Sequence, residues 1–135
     1  MAGVLIDTNV IIGIIDRRDR RVLSNAAVFK RGGRKFTLCP IVYFEYRRGC
    51  LNRGVDTTGR AKGFDRFVVA ECEWAHLDQA VLQKAAWLWS RHRGERVGDA
   101  DLLMAATALV SHLPVATRNT RHLSRFGVEV WNWYE

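Results

Sequence analysis

The chain has 135 residues, 48% of them hydrophobic, and its lysines and arginines outnumber its acids to give a net charge of +7. That length buries one core and falls short of two, so a single domain over residues 1–135 is expected. The opening MAGVLIDTNVIIGIID has no basic leader and carries Asp7 inside its apolar run, which argues against a secretory signal or a membrane span and for a cytoplasmic protein with no membrane partner.

Residues 4–7 form a short apolar run that ends on an acid. The continuous apolar character of residues 9–15 then suits a buried helix, so Asp7 falls at a strand-to-helix turn. Leu23, Ala26, Ala27 and Lys30 repeat at helical spacing, and Gly32 with Gly33 ends that helix. Residues 36–39 read as a second strand. Pro40 starts a helix running to about Asn52, with Ile41, Phe44 and Arg48 on one face and Glu45 in its first turns. Residues 68–77 are rich in strand formers and predict a third strand, although Glu71 and Glu73 interrupt the pattern. Asp78 caps a helix in which Val81, Leu82, Ala85, Ala86 and Leu88 recur at helical intervals up to Gly94. Asp99 opens another, to about His112. Residues 114–117 and 128–131 are the last strands, with a helical turn over 119–126 between them.

Strands separated by helices predict an α/β fold with a mainly parallel sheet covered on both faces, because parallel strands need long crossovers. Sheets of that kind place ligands beyond the carboxyl ends of the strands, where strand order reverses. Asp7 and Thr117 both fall at such ends. Cys39, Cys50 and Cys72 are odd in number and widely spaced, which suits reduced thiols better than a disulfide framework or a zinc site.

Four acids stand inside short signatures: Asp7 in LIDTNV, Glu45 in YFEYRRG, and Asp99 with Asp101 in GDADLLMAATA. Carboxylates gathered in one cleft stay ionised together only when a cation or basic groups supply the missing charge. Each acid also has a plain structural reading. Asp7 or Thr8 caps the following helix, and Glu45 pairs with Arg48 one turn on. Asp99 and Asp101, two residues apart, cannot face one site from a regular helix. The simplest assignment makes Asp99 the cap, bonding the N–H near Leu102, or an outer-shell acid, and turns Asp101 into the cleft with Ala105 and Ala108 continuing its face.

TRNTRHL, from Thr117 to Leu123, adds hydroxyls, a carboxamide, guanidiniums and an imidazole just after a strand. Arg118 and Arg121 suit phosphate oxygens, as does Arg47 on the Glu45 helix, and Thr117 or Asn119 suits a ligand or a water. Asn119 or Thr120 also serves as a helix cap. An acidic cluster in a strongly basic chain points to a metal-dependent nuclease, whose surface attracts a polyanion and whose cleft cuts it.

These segments, in this order and spacing, resemble the PIN-domain ribonucleases, and most closely the VapC-type toxins of prokaryotic toxin–antitoxin pairs. LIDTNVII, PIVYFEYRRG, GDADLLMAATALV and VATRNTRHLSRFGVEVWNW carry the resemblance, which spans nearly the whole chain. It implies a three-layer α/β/α domain with a central five-stranded sheet, Mg²⁺ or Mn²⁺ in an acidic cleft, cleavage of RNA, a homodimer, and inhibition by a cognate antitoxin. Matched residue by residue, it places the family's metal-holding acids on Asp7, Glu45 and Asp101. The family often has a fourth acid where this chain has His122, and imidazole suits Mn²⁺ better than Mg²⁺.

Other readings stay open. An RNA-binding module with weakened catalysis accommodates His122, and a housekeeping RNA-processing nuclease shares the chemistry without the toxin role. A phosphatase with an Asp7 nucleophile needs partner groups that the sequence does not supply. Tyr43 or Tyr46 is available for base stacking, and Trp87, Trp89, Trp131 and Trp133 for partner contact, although tryptophan in a small domain is more often core.

Overall fold

In the computed structural model, which describes residues 3–52 and 59–135, an apolar strand leads into each half of a parallel sheet. β1 (Leu5–Ile6) is wholly buried and lies at the centre. After α1 (Thr8–Asp16) and α2 (Arg20–Lys30), β2 (Phe36–Leu38) pairs with one side of β1. α3 (Pro40–Cys50) and α4 (Arg60–Glu71) lead to β3 (Cys72–Trp74) on the outside of β2. The chain then crosses over through α5 (Gln79–Arg91) and α6 (Asp99–Ser111) to β4 (Val115–Ala116) on the other side of β1. α7 (Thr120–Ser124) leads to the edge strand β5 (Val130–Trp131).

The order is β3-β2-β1-β4-β5, every pairing is parallel, and the seven helices among the described residues flank the sheet. This is the α/β architecture expected from the alternation of elements. Strands buried on both faces explain the unbroken apolar runs: Val4, Leu5, Ile6, Val115 and Ala116 are all fully shielded. The order reverses between β1 and β4. Their carboxyl ends therefore open a crevice, and Asp7 and Thr117 are the residues that follow them.

Local signals set the helix starts. The Asp19 carboxylate accepts from the N–H groups of Arg21 and Val22, and Asp78 accepts from Val81. Pro40 occupies the first turn of α3, where its missing N–H costs nothing. α6 is shielded nearly all round over Leu102–Ala108, as befits a helix lying between the sheet and α5.

Two expectations need correction. Residues 68–77 are not one strand: 68–71 end α4, and only Cys72–Trp74 pair in the sheet. Ala61, Phe64 and Val68 form the buried stripe of α4 at helical spacing, while Val69 is 80% exposed, so the β-branched pair straddles two faces of a helix. On α3 Val42 and Tyr46 are buried, whereas Phe44 is exposed with the Arg48 guanidinium 5.0 Å from its ring centre, in keeping with the shared face expected of them. Asp99 does not cap α6. Gly98 holds the cap position, its carbonyl accepts from the Leu102 N–H, and no side chain caps this end.

The C-terminal residues pack back on the first helices. Trp133 is buried in an aromatic cluster with Phe29 and Phe36, and Trp131 meets Phe29 edge-on. The Asn25 side-chain amide donates to the Trp133 carbonyl at 2.9 Å, and the Tyr134 hydroxyl donates to the Asn9 carbonyl at 2.6 Å. Gly13 permits that approach, since a β-carbon there would lie 2.8 Å from the Tyr134 hydroxyl.

Candidate functional site

A cleft of about 560 Å³ opens at the carboxyl ends of β1 and β4. Asp7 from the β1–α1 turn, Glu45 from α3 and Asp101 from the first turn of α6 all line it, with Arg48, Asn52 and Asn119 among their neighbours. Side chains 38 and 56 residues apart thus converge because three helices begin at one edge of the sheet.

Asp7 is both cap and cleft acid. One carboxylate oxygen accepts from the Thr8 N–H at 2.7 Å. The other accepts from the Thr117 hydroxyl at 2.7 Å and from the Asn9 amide at 3.3 Å. Thr117 is fully buried, and its Oγ1 also accepts from the Asn119 N–H at 3.0 Å. Asn9 completes the brace, its carbonyl oxygen Oδ1 accepting from the Arg118 N–H at 3.0 Å. These donors fix the orientation of Asp7 in a way a simple helix cap does not require.

Electrostatics follow from the crowding. Burial pushes the Asp7 carboxyl above its usual range, Asp101 adds to the rise, and the bonds from Thr117 and Thr8 oppose it. Glu45 is likewise raised, by burial first and then by Asp7, against the Thr8 hydroxyl, 3.4 Å away, and the Arg48 guanidinium. The acids sense one another across the cleft. His122 is mostly exposed, with Nδ1 3.7 Å from the nearer Asp101 carboxylate oxygen, so imidazole does stand beside the acids at this corner.

The donors are hard oxygens, which fits Mg²⁺ or Mn²⁺ and not a soft metal. Among the described residues no three His, Cys, Asp or Glu side chains are gathered into a ready-made cage. Mg²⁺ does not need one. It keeps several waters and binds through one or two carboxylates together with substrate phosphates, which an open acidic cleft allows.

Other residues singled out in the sequence lie elsewhere. Arg47 does not line the cleft; its guanidinium bonds Asp65 on α4 at 2.9 Å. Arg118 lies 3.8 Å over the Tyr134 ring, and Arg121 is exposed on α7. Asp99 faces a separate groove of about 390 Å³ between α5 and α6, beside Trp89, Leu102 and Leu103. Tyr46 is buried against Phe64, and Tyr43 lies outside the cleft lining, its ring beside Phe64 and Trp74 and its hydroxyl bonding Asp65 at 2.8 Å. Trp87 and Trp89 are exposed on α5. Arg48 is the cleft cation that sequence reading missed. The signal was present in its one-turn spacing from Glu45, which was read only as an ion pair.

The sequence profile described as PIN domain matches residues 4–129. No curated protein sequence matches the chain significantly. Among solved structures, VapBC2 from Rickettsia felis bound to a promoter DNA fragment aligns with a TM-score of 0.81 at 18% identity, covering 96% of this chain and 97% of that one. FitAcB from Neisseria gonorrhoeae aligns at 0.74 and 22% identity, covering 98% and 99%. VapBC-1 from nontypeable Haemophilus influenzae aligns at 0.78 and 17%, covering 97% and 98%.

Proposed function

Because this chain belongs to the PIN domain family, we propose that it is a Mg²⁺- or Mn²⁺-dependent endoribonuclease, the toxin of a type II toxin–antitoxin pair. The observation that carries this reading is the convergence of Asp7, Glu45 and Asp101 on one cleft at the point where strand order reverses. A divalent cation bound there would polarise the scissile phosphate and offset the charge that develops on it.

The chain's own residues supply the rest. Asp7, locked by Thr117, Asn9 and the Thr8 N–H, and Asp101 in the same cleft would hold the cation. Glu45, raised by burial and by Asp7, takes the proton of the attacking water. The water oxygen bonds to phosphorus, the phosphorus–oxygen ester bond breaks, and the leaving alkoxide gains a proton from solvent. Arg48, a donor-only cation on the cleft wall, holds a backbone phosphate.

Cleavage of labelled RNA by the wild type and by Asp7→Asn, with Mg²⁺, Mn²⁺ or chelator, tests the assignment. The expected result is ion-dependent cutting by the wild type alone; no cutting with either ion, or equal cutting by the variant, removes it. His122 beside Asp101 favours a second reading, an RNA-binding module of weak catalysis, which binds RNA without cutting it. A housekeeping RNA-processing role shares the chemistry. A neighbouring upstream gene for a small DNA-binding partner separates toxin from housekeeping enzyme.

The antitoxin proposal is supported by the VapBC and FitAcB complexes with which the chain aligns. The homodimer is supported by the apolar α5–α6 groove and the exposed Trp87 and Trp89 beside it. We place the protein in the cytoplasm, where RNA and an antitoxin are both found. No helix among the described residues is long and apolar enough to cross a membrane.

A further inference from the structure

Beside the acidic cleft lies a smaller cavity of about 150 Å³, walled in part by Tyr46, Cys50 and Arg60. Thr8, Ile12, Glu45 and Gly49 line both spaces, so the cavity is a side chamber of the cleft. The Tyr46 hydroxyl is the only buried side-chain polar atom among the described residues that has no hydrogen-bond partner. A buried group of that kind calls for an explanation, because leaving it unpaired costs free energy that evolution could remove with phenylalanine.

The ring cannot turn away to find a partner. Tyr46 is 4% exposed and its ring centre lies 4.1 Å from that of Phe64. Burial pushes the phenol up while the Arg60 guanidinium beside it pulls the other way, close to the hydroxyl but not in hydrogen-bonding geometry with it. Besides that contact Arg60 bridges Asp16 at 3.2 Å, a half-exposed tie weak enough for its guanidinium to turn onto a guest.

We infer that this chamber is a nucleobase subsite, in which the Tyr46 hydroxyl and the Arg60 guanidinium read the edge of an extruded base next to the phosphate held in the cleft. The inference rests on the ribonuclease reading above. Single-stranded RNA is recognised by splayed bases whose edges are hydrogen-bonded in pockets, and a chamber sharing its wall with a phosphate-sized cleft is placed for the neighbouring base. Its volume equals that of about five waters, room for a planar ring and not for a ribose and phosphate as well. Guanidinium donates and never accepts, so a carbonyl edge faces Arg60 in preference to an exocyclic amine. Uracil and cytosine have the same size and differ there, oxygen against amine. With the 4-position edge of the base against Arg60, the chamber favours uracil, which offers O4, over cytosine, which offers the N4 amine.

Titration of the protein with uridine and cytidine monophosphates, followed by NMR, decides this without any cleavage. The expected result is UMP binding roughly tenfold tighter than CMP, the factor that one well-made hydrogen bond supplies. Tyr46→Phe keeps the ring on Phe64 and deletes only the unpaired hydroxyl, so it melts no lower than the wild type while its affinity for UMP falls about tenfold. Arg60→Gln, whose amide both donates and accepts, brings the UMP/CMP ratio to within about twofold. Equal affinities in the wild type, a preference for CMP, binding of neither nucleotide, unchanged UMP affinity in Tyr46→Phe, or an unchanged ratio in Arg60→Gln overturns the inference. A paired cleavage assay on oligomers that differ only in uridine or cytidine at the cut keeps the two proposals apart: if the wild type cuts neither, the ribonuclease reading fails, and the titration still decides the chamber.

Discussion

Asp99 and Asp101 sit two residues apart at the start of one helix and belong to different regions. Asp101 faces the polar cleft with Asp7 and Glu45, whereas Asp99 faces the apolar groove beside Trp89, Leu102 and Leu103. The helical turn of roughly 100° per residue makes this separation unavoidable. The difference teaches that an acidic signature is not a site: only the acid whose face meets the ends of β1 and β4 shares a cleft with the others.

The largest expected effect sharpens that contrast. Asp101→Asn lowers RNA cleavage by at least about a hundredfold, beyond the loss typical of supporting groups, while Asp99→Asn stays within roughly threefold. Initial rates on one labelled RNA measure both, and a larger loss at Asp99 would reverse the assignment. Thr117→Val comes next. It keeps the shape of the side chain, removes the 2.7 Å bond to Asp7, and lowers cleavage by about 10- to 100-fold, with the Mg²⁺ concentration for half-maximal rate shifted upward.

Stability breaks the comparison along other lines. Leu88→Ala on the buried face of α5 costs about 2–5 kcal/mol, whereas Leu82→Ala on its exposed face stays within roughly 0.5 kcal/mol, both read from urea unfolding. The smallest effect has the opposite sign. Because burial raises the folded-state carboxyl of Asp7 above its ordinary value near 3.8, the neutral form is favoured by folding. Its contribution is fully present below that ordinary value and is lost as pH rises through the higher folded value. Asp7→Asn, permanently neutral, therefore raises the melting temperature at pH 7 without divalent ions, and the gain disappears on acidification below about pH 3.8. A gain that persists in acid would show that burial of the charge is not its source.

Much of this was legible in the residues. Unbroken apolar runs marked β1, β2 and β4, and the alternation of elements gave the parallel sheet, because both follow from local composition and the need for long crossovers. The convergence of Asp7, Glu45 and Asp101 was legible only through their signatures, since nothing local measures a distance in space. The start of β3 was not legible. Val68 and Val69 carry strand propensity, but the stripe of Ala61, Phe64 and Val68 holds them in a helix, an instance of packing overriding preference. The roles of Arg47 and Arg48 depended on which side of α3 meets α4, which tertiary packing alone decides.

The braces on Asp7 come from the far end of the chain, through Thr117 and, by way of Asn9, through Tyr134. Contacts so distant in sequence form late, and during synthesis they cannot form until their residues have been made. Asp7 must wait for Thr117, 110 residues further along, and Asn9 for Tyr134, 125 residues further along. Under the proposed ribonuclease reading, the acid that would hold the cation thus stays unbraced until those later residues have been made and folded back on it.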